Sequence, residues 1–453
     1  MRDAIDPTVA ALLAWPEDRV VVQTRDGSWT AGELRGAAAR VAASLRALGV
    51  TAGDRVGVEA APSAEVVAVL LGARALGCLV LPLEPRRARV LARQFRLAVS
   101  VVDGPTGPNE VSPAQLLAHP TSARLRAVAA PLAWSICTSG TTGTPKGVVL
   151  GSAGITEMIA NVQQVMDYRA SDRVLSALPL HHVYGLSQLW VCLATGATLV
   201  LPPSPLLVGD LERWLDGITV WPAIPSTVRA LVAARSCRRP RLITLSGQAT
   251  PARDRQQLVT HFATTRFLQF YGSTEAFRVL WTTHDELVAE PEATGRPTPG
   301  MTAWLDANDE LVVEGPNVAL GYLDEPELTR AKFPRRGQFA TGDLFRRRGE
   351  LFCYRGRADG VFKSFGEKVI PEVIERALAA HPGVEACVVV PELDARSGEL
   401  RPLARVVLRD ATCSSAELVA FLRPQLPSIL VPRIALVEAL PTTSSGKQLR
   451  GRG

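Results

Sequence analysis

No run of apolar residues in this 453-residue sequence reaches bilayer length, because Gly, Pro or charge breaks each one early. A helical membrane span, which needs about 20 consecutive apolar residues, is therefore not expected. None of the seven cysteines (Cys78, Cys137, Cys192, Cys237, Cys353, Cys387, Cys413) forms a C-x-x-C pair. Neither a zinc site nor a disulfide framework is indicated, and a reducing cytoplasm is the expected location. The first residues, MRDAIDPTVAALLAWPEDR, carry acids where a secretory leader would be basic and apolar. Charge of one sign is not in excess: 50 Lys+Arg against 44 Asp+Glu leave +6. Such a balance tolerates anionic ligands but lacks the clustered charge of a nucleic-acid surface. The densest basic run, Arg346 to Arg348, reads as a solvated hairpin flank. Internal repeats are absent. With 47% hydrophobic and 21% charged residues the chain is globular, and its length implies two or more domains.

The first half alternates helix and strand signals. Thr30 and Glu33 form a capping box before Leu34, Ala38, Val41, Leu45 and Leu48 at helical spacing, and Gly49 is placed to end that helix. Val56–Val58 reads as a short buried strand. Ser63 caps a second helix running toward Leu76, Gly77 stops it, and Leu79–Leu81 is the next strand. Further strands are expected at Arg173–Ala177, Thr198–Leu201, Ile218–Trp221 and Arg241–Leu245. This β-α-β rhythm implies helix-covered, mostly parallel sheets. From Trp304 the texture changes to short strands and turns, an antiparallel region. The fold class expected is α/β: a large N-terminal domain (1–355) with a β region, then a small mobile α+β domain (356–453). The latter mixes a helix at Glu372–Ala380 with strands at Ala386–Val390 and Leu403–Val407.

The most informative segment is SICTSGTTGTPKGVVL, residues 135–150. Within ten positions it holds four hydroxyl side chains (Thr138, Ser139, Thr141, Thr142), three glycines (Gly140, Gly143, Gly147) and Lys146. Glycines allow tight turns and close backbone approach, while hydroxyls and N–H groups donate to phosphate oxygens. A Walker A loop is excluded, since Pro145 precedes the lysine and Gly147 follows it. TSGTTGTPKG resembles the phosphate loop of the adenylate-forming superfamily, which includes acyl-CoA synthetases, aryl-CoA ligases, peptide-synthetase adenylation domains and luciferases. Further segments are similar to that family's motifs, in its order: LPLHHVYGL (178–186), YGSTE (271–275), TGD (341–343), YRGRADGVFKSFGEKV (354–369) and PTTSSGK (441–447). The likeness runs from Trp29 to the end.

The resemblance implies activation of a small carboxylic acid by ATP and Mg²⁺ to an acyl-AMP, then transfer to a thiol of coenzyme A or a carrier protein's phosphopantetheine. The loop residues from Thr138 to Lys146 would hold phosphates, Thr274 the α-phosphate and Glu275 the magnesium. Tyr271, beside Gly272, would stack on adenine, with the backbone of Gly247, Gln248 and Ala249 facing the same ring. Asp343 would accept from the ribose hydroxyls and Arg357 would support it. Lys447 would bridge the carboxylate and the α-phosphate. Asp359 falls at the family's hinge, and Lys363 and Gly366 belong to the thioester stage. His182 corresponds to a gate between acyl group and thiol, and Tyr184 and Ser187 follow it as in aryl-CoA ligases. Trp190 and Trp221 are either pocket walls or core. Arg278 either pairs with an acidic substrate or anchors a surface loop. One departure is Val373, where relatives carry the first acid of P-x-E-[VIL]-E, with Glu372 next to it. Since no carrier domain precedes Gly453, the thiol is expected in trans. A non-catalytic nucleotide-binding relative is disfavoured by the intact Thr138–Lys146 loop, Glu275, Asp343 and Lys447.

Overall fold

The computed structural model describes residues 5–59, 61–139, 145–203, 208–233, 235, 238–247, 250, 257–258, 260–365, 367–394, 399–409 and 413–440. Among them, nine strands form one sheet and seven form a second. The centre of the first is parallel: Thr198–Val200, Arg173–Leu175, Val220–Ala223, Leu242–Leu245 and Arg266–Tyr271 lie side by side, and Leu280–Thr283 joins one flank antiparallel. The second is parallel from Leu132–Ser139 through Leu79–Leu83 and Arg55–Glu59 to Val99–Val101. Its far side carries the antiparallel strand Pro145–Gly151.

Helices fill the space against these sheets for reasons that are local. Thr30 and Glu33 exchange both capping bonds at the start of helix Ala31–Ala47, and Leu34, Ala38, Val41 and Leu45 point into the core. Ser63 accepts from Val66 N to start helix Ala64–Ala75, in which every residue but Glu65 is buried. The two helices can touch because of Gly72: a Cβ there would lie 2.6 Å from Val41 Cβ and 2.7 Å from Ala38 O. At the N-terminal edge Asp6 caps helix Pro7–Ala14 through Thr8 N and Val9 N and pairs with Arg74 at 2.7 Å, both side chains fully buried.

Four antiparallel strands, Thr302–Leu305, Glu310–Glu314, Gln338–Arg348 and Leu351–Arg357, make the β region expected after Trp304. Arg346 and Arg348 do flank a hairpin, in ion pairs with Glu290 and Glu292. A 3-10 turn at Ala358–Gly360 leads to a two-stranded and a three-stranded sheet with helices Pro371–Ala379 and Ser415–Leu422. These last elements surround their own apolar cluster, including Val369, Ile374, Val389, Val406 and Leu418. The fold is thus a large α/β domain followed by a small α+β one. Among the described residues no helix is long and apolar enough to cross a membrane.

Candidate nucleotide site

Strands Leu242–Leu245 and Arg266–Tyr271 run parallel and end together, so Gly247 and the loop after Tyr271 emerge on one rim, where open α/β sheets bind ligands. Gly247 turns with φ +85°, and Gln248 and Ala249 lie outside the described residues. The loop from Gly272 to Arg278 folds tightly back: Val279 N donates to Tyr271 O at 2.9 Å and Ser273 N to Ala276 O at 2.9 Å. Only glycine suits position 272, because a Cβ would meet Arg278 N at 2.5 Å and Ala276 O at 2.8 Å. Thr274 and Glu275 sit half-buried in this loop.

Asp343 comes from the β region and meets the loop from the opposite side. Its turn is built by Thr341, which bonds Leu311 O and accepts from Asp343 N, and by Gly342, whose N–H reaches Glu310. Tyr271 Oη donates to Asp343 Oδ2 at 2.5 Å, and Arg357, its cross-strand neighbour, donates to Oδ1 at 2.9 Å. The same guanidinium reaches Asp359 at 3.2 Å. Burial raises the Asp343 carboxyl, against the pull of Arg357 and Tyr271. Burial alone would lower Arg357, but its bonds to Asp359 and the charge of Asp343 raise it. The expected ribose carboxylate is therefore already held on both oxygens, with its second lone pairs left for a ligand. The Tyr271 ring stands edge-on to Phe345, with centroids 5.1 Å apart.

Glu275 is tied to the phosphate-loop strand by Tyr322, a residue the motifs did not single out. Tyr322 Oη donates to Glu275 Oε1 at 2.9 Å, and Lys146 Nζ stands over the Tyr322 ring, 6.0 Å from its centroid. Thr138 pairs with Lys146 across the hairpin, and Ser139 with Pro145. The Ser139 side chain, Gly140, Thr141, Thr142 and Gly143 lie outside the described residues, as do Gly366 and Lys447.

Tyr184, Ser187 and Arg278 meet in a buried polar cluster. Arg278 Nη2 donates to Ser187 Oγ at 3.1 Å, and its guanidinium lies over the rings of Tyr184 and Phe270 at 5.6 and 5.5 Å. Tyr184 donates to Thr244 O at 2.8 Å, and burial pushes its hydroxyl up to about 12. Arg278 is 3% exposed, and the chain from Phe270 to Leu280 carries this side chain inward. Trp190 and Trp221 are core residues, Trp190 packing on Trp134 and Phe277. His182 is exposed at the start of helix Val183–Thr195, and its ring packs on His181. Lys363 is exposed on strand Phe362–Ser364. Near the turn at 358–360, Glu372 accepts from Arg357 N at 3.3 Å and Arg376 donates to Tyr354 O at 2.7 Å.

Fold and site together define a nucleotide-binding α/β enzyme with a small second domain. The chain belongs to the AMP-binding enzyme family, which it matches over residues 10–102 and 98–323, and residues 373–447 match that family's C-terminal domain. It is 30% identical to feruloyl-CoA synthase from Amycolatopsis sp, over 93% of this chain and 92% of that protein. It is 27% identical to L-proline--[L-prolyl-carrier protein] ligase from Pseudomonas fluorescens, over 96% of each. A linear gramicidin synthase polypeptide from Brevibacillus parabrevis is 30% identical over 95% of the chain, which spans 6% of that protein's length. The structure of ATP-bound MatB from Rhodopseudomonas palustris superposes with a TM-score of 0.88 at 25% identity, covering 98% of this chain and 97% of MatB.

Proposed function

We propose that the chain activates a carboxylic acid with ATP and passes the acyl group to a thiol. A carboxylate oxygen attacks the α-phosphorus, the bond from that phosphorus to the β-bridging oxygen breaks, and pyrophosphate leaves. The thiol sulfur then attacks the acyl carbon, loses its proton to solvent, and AMP departs. Coenzyme A is the first reading of the acceptor. A carrier protein's phosphopantetheine is the second, favoured by the full-length likeness to a prolyl-carrier-protein ligase.

The observation that carries the proposal is one path of contacts. It runs from Lys146 through Tyr322 to Glu275, along four residues of loop to Tyr271, and on to Asp343 and Arg357. Such a path would bring phosphate-loop, metal and ribose groups to one nucleotide. Glu275 fits Mg²⁺, because Tyr322 orients one oxygen and Mg²⁺ takes one or two carboxylates alongside phosphates. When bound, the ion would neutralise phosphate charge. Asp343, preset by Tyr271 and Arg357, would accept the sugar hydroxyls, and Thr274 would donate to the α-phosphate. Lys447 would hold the two anionic reactants together, as its motif implies. His182 would gate the acyl–thiol space. Division into domains at 355/356, with the hinge at Asp359 and Lys363 and Gly366 serving the thioester stage, belongs to the same proposal. So does a cytoplasmic location.

The test is acid-dependent exchange of labelled pyrophosphate into ATP across a broad carboxylic-acid panel, with thioester formation then followed with and without CoA. Folded protein that supports exchange with none of the acids refutes adenylation. Exchange without CoA-thioester formation favours the carrier protein.

A further inference from the structure

Arg278 is a fully enclosed cation that, among the described residues, has no carboxylate partner. Arg74, the other deeply buried arginine among the described residues, is matched by Asp6. Arg278 instead donates to two neutral acceptors, Met166 Sδ at 3.0 Å and Ser187 Oγ at 3.1 Å, and its Nε has no hydrogen-bond partner among the described residues. A guanidinium carries five N–H donors, so most remain unspent. Burial, the leading influence, lowers its pKa, yet a guanidinium does not give up its proton in a protein. A cation in such a place is costly unless an anion completes it, and a residue needed only for packing would do better apolar.

The backbone holds the side chain there firmly. Arg278 adopts φ +51°, a left-handed conformation that non-glycine residues rarely take and that persists where the surroundings over-determine it. Its carbonyl accepts from Thr298 Oγ1 at 2.6 Å and from Asn317 Nδ2 at 3.2 Å, and its N–H packs against Gly272. Arg278 follows Glu275 by three residues, which limits their Cα separation to about 11 Å. The guanidinium meets Tyr184 and Ser187 on the helix that begins just after His182.

Building on the function proposed above, we propose that Arg278 is a specificity-determining residue, and that the acid activated here carries a second carboxylate which pairs with this guanidinium. The first carboxylate would lie at the Thr274–Glu275 end of the loop and the second against Arg278, joined by a short skeleton. Met166, Phe270 and the Tyr184 ring would wall the linking carbons.

Pyrophosphate exchange with acids matched in skeleton tests this: succinate against butyrate, glutarate against pentanoate, isophthalate against benzoate. The dianionic member of at least one pair should be favoured by about thirtyfold or more in kcat/KM, as for a buried charge pair. Arg278→Met should erase that preference while retaining exchange with the monoacid, and Arg278→Lys should keep part of it, each variant being confirmed as folded by its thermal melt. Wild-type protein that uses the monoacids equally well or better overturns the proposal and leaves adenylation standing. A preference that survives in Arg278→Met overturns the assignment to this residue. Exchange with acids of the broad panel that is confined to monocarboxylates overturns this proposal and leaves adenylation standing, whereas failure of every acid of that panel removes both.

Discussion

Replacing Tyr322 by Phe removes one hydroxyl and little else. The ring keeps its edge-on packing against Phe333, at 5.5 Å between centroids, and its place beneath Lys146. What goes is the 2.9 Å bond to Glu275 Oε1. Burial first, and the Glu275 charge second, push the Tyr322 hydroxyl well above the ordinary phenol range, so it is a fixed donor at any working pH. A hydrogen bond to an ionised group contributes about 1.5–3 kcal/mol, and loss of an outer partner of a metal ligand weakens metal binding by about ten- to hundredfold. Half-saturating Mg²⁺ in pyrophosphate exchange should therefore rise by about that factor, while the melting temperature falls by no more than a few degrees. An unchanged Mg²⁺ titration in a folded Tyr322→Phe protein would show that Glu275 needs no such orientation, or is not the magnesium carboxylate.

Lys447→Ala should abolish acyl-AMP formation while ATP affinity stays within about tenfold, as when a contact made only in the transition state is lost; unchanged pyrophosphate release would overturn that role. His181 is held down at about 4 by burial first and by His182 second. Its folded value lies below the unfolded one of about 6.5, so the unfolded chain takes the proton first and stability should fall as pH drops from about 6.5 toward 4. Urea midpoints across that range should show the fall, and His181→Gln should reduce it; an identical slope in the variant counts against the assignment. Asp6→Ala strands Arg74 in the core and should cost about 3–5 kcal/mol by urea titration, whereas a loss under about 1 kcal/mol would place the pair among weak surface bridges.

Features set by neighbours in the chain were legible in the sequence. The capping box at Thr30 and Glu33, the cap at Ser63 and the left-handed Gly49 and Gly77 all depend on residues within a turn of each other. Strand limits were less so. Ile218–Trp221 became Val220–Ala223, because pairing with Ile243 and Thr244 carries the strand on through Pro222, while Thr219 Oγ1 bonds Asp172. Tyr271, Asp343 and Arg357, drawn from separate motifs, lie in contact although Tyr271 and Asp343 are 72 positions apart. Tyr322 was missed because its partner Glu275 is 47 residues away and nothing local marks the pair. The burial of Arg278 was equally hidden, since it depends on Met166 and Ser187, 112 and 91 positions away, as well as on nearby Phe270.

Arg357 spans two loyalties: one edge of its guanidinium grips Asp343, the other Asp359, and its amide reaches Glu372. A sugar that competes for Asp343 would loosen or tighten the grip on the 358–360 turn. By reciprocity the posture of that turn must alter how firmly the sugar is held, by the same free energy. Nucleotide occupancy and swivel angle would then be two readings of one equilibrium, coupled through a single side chain.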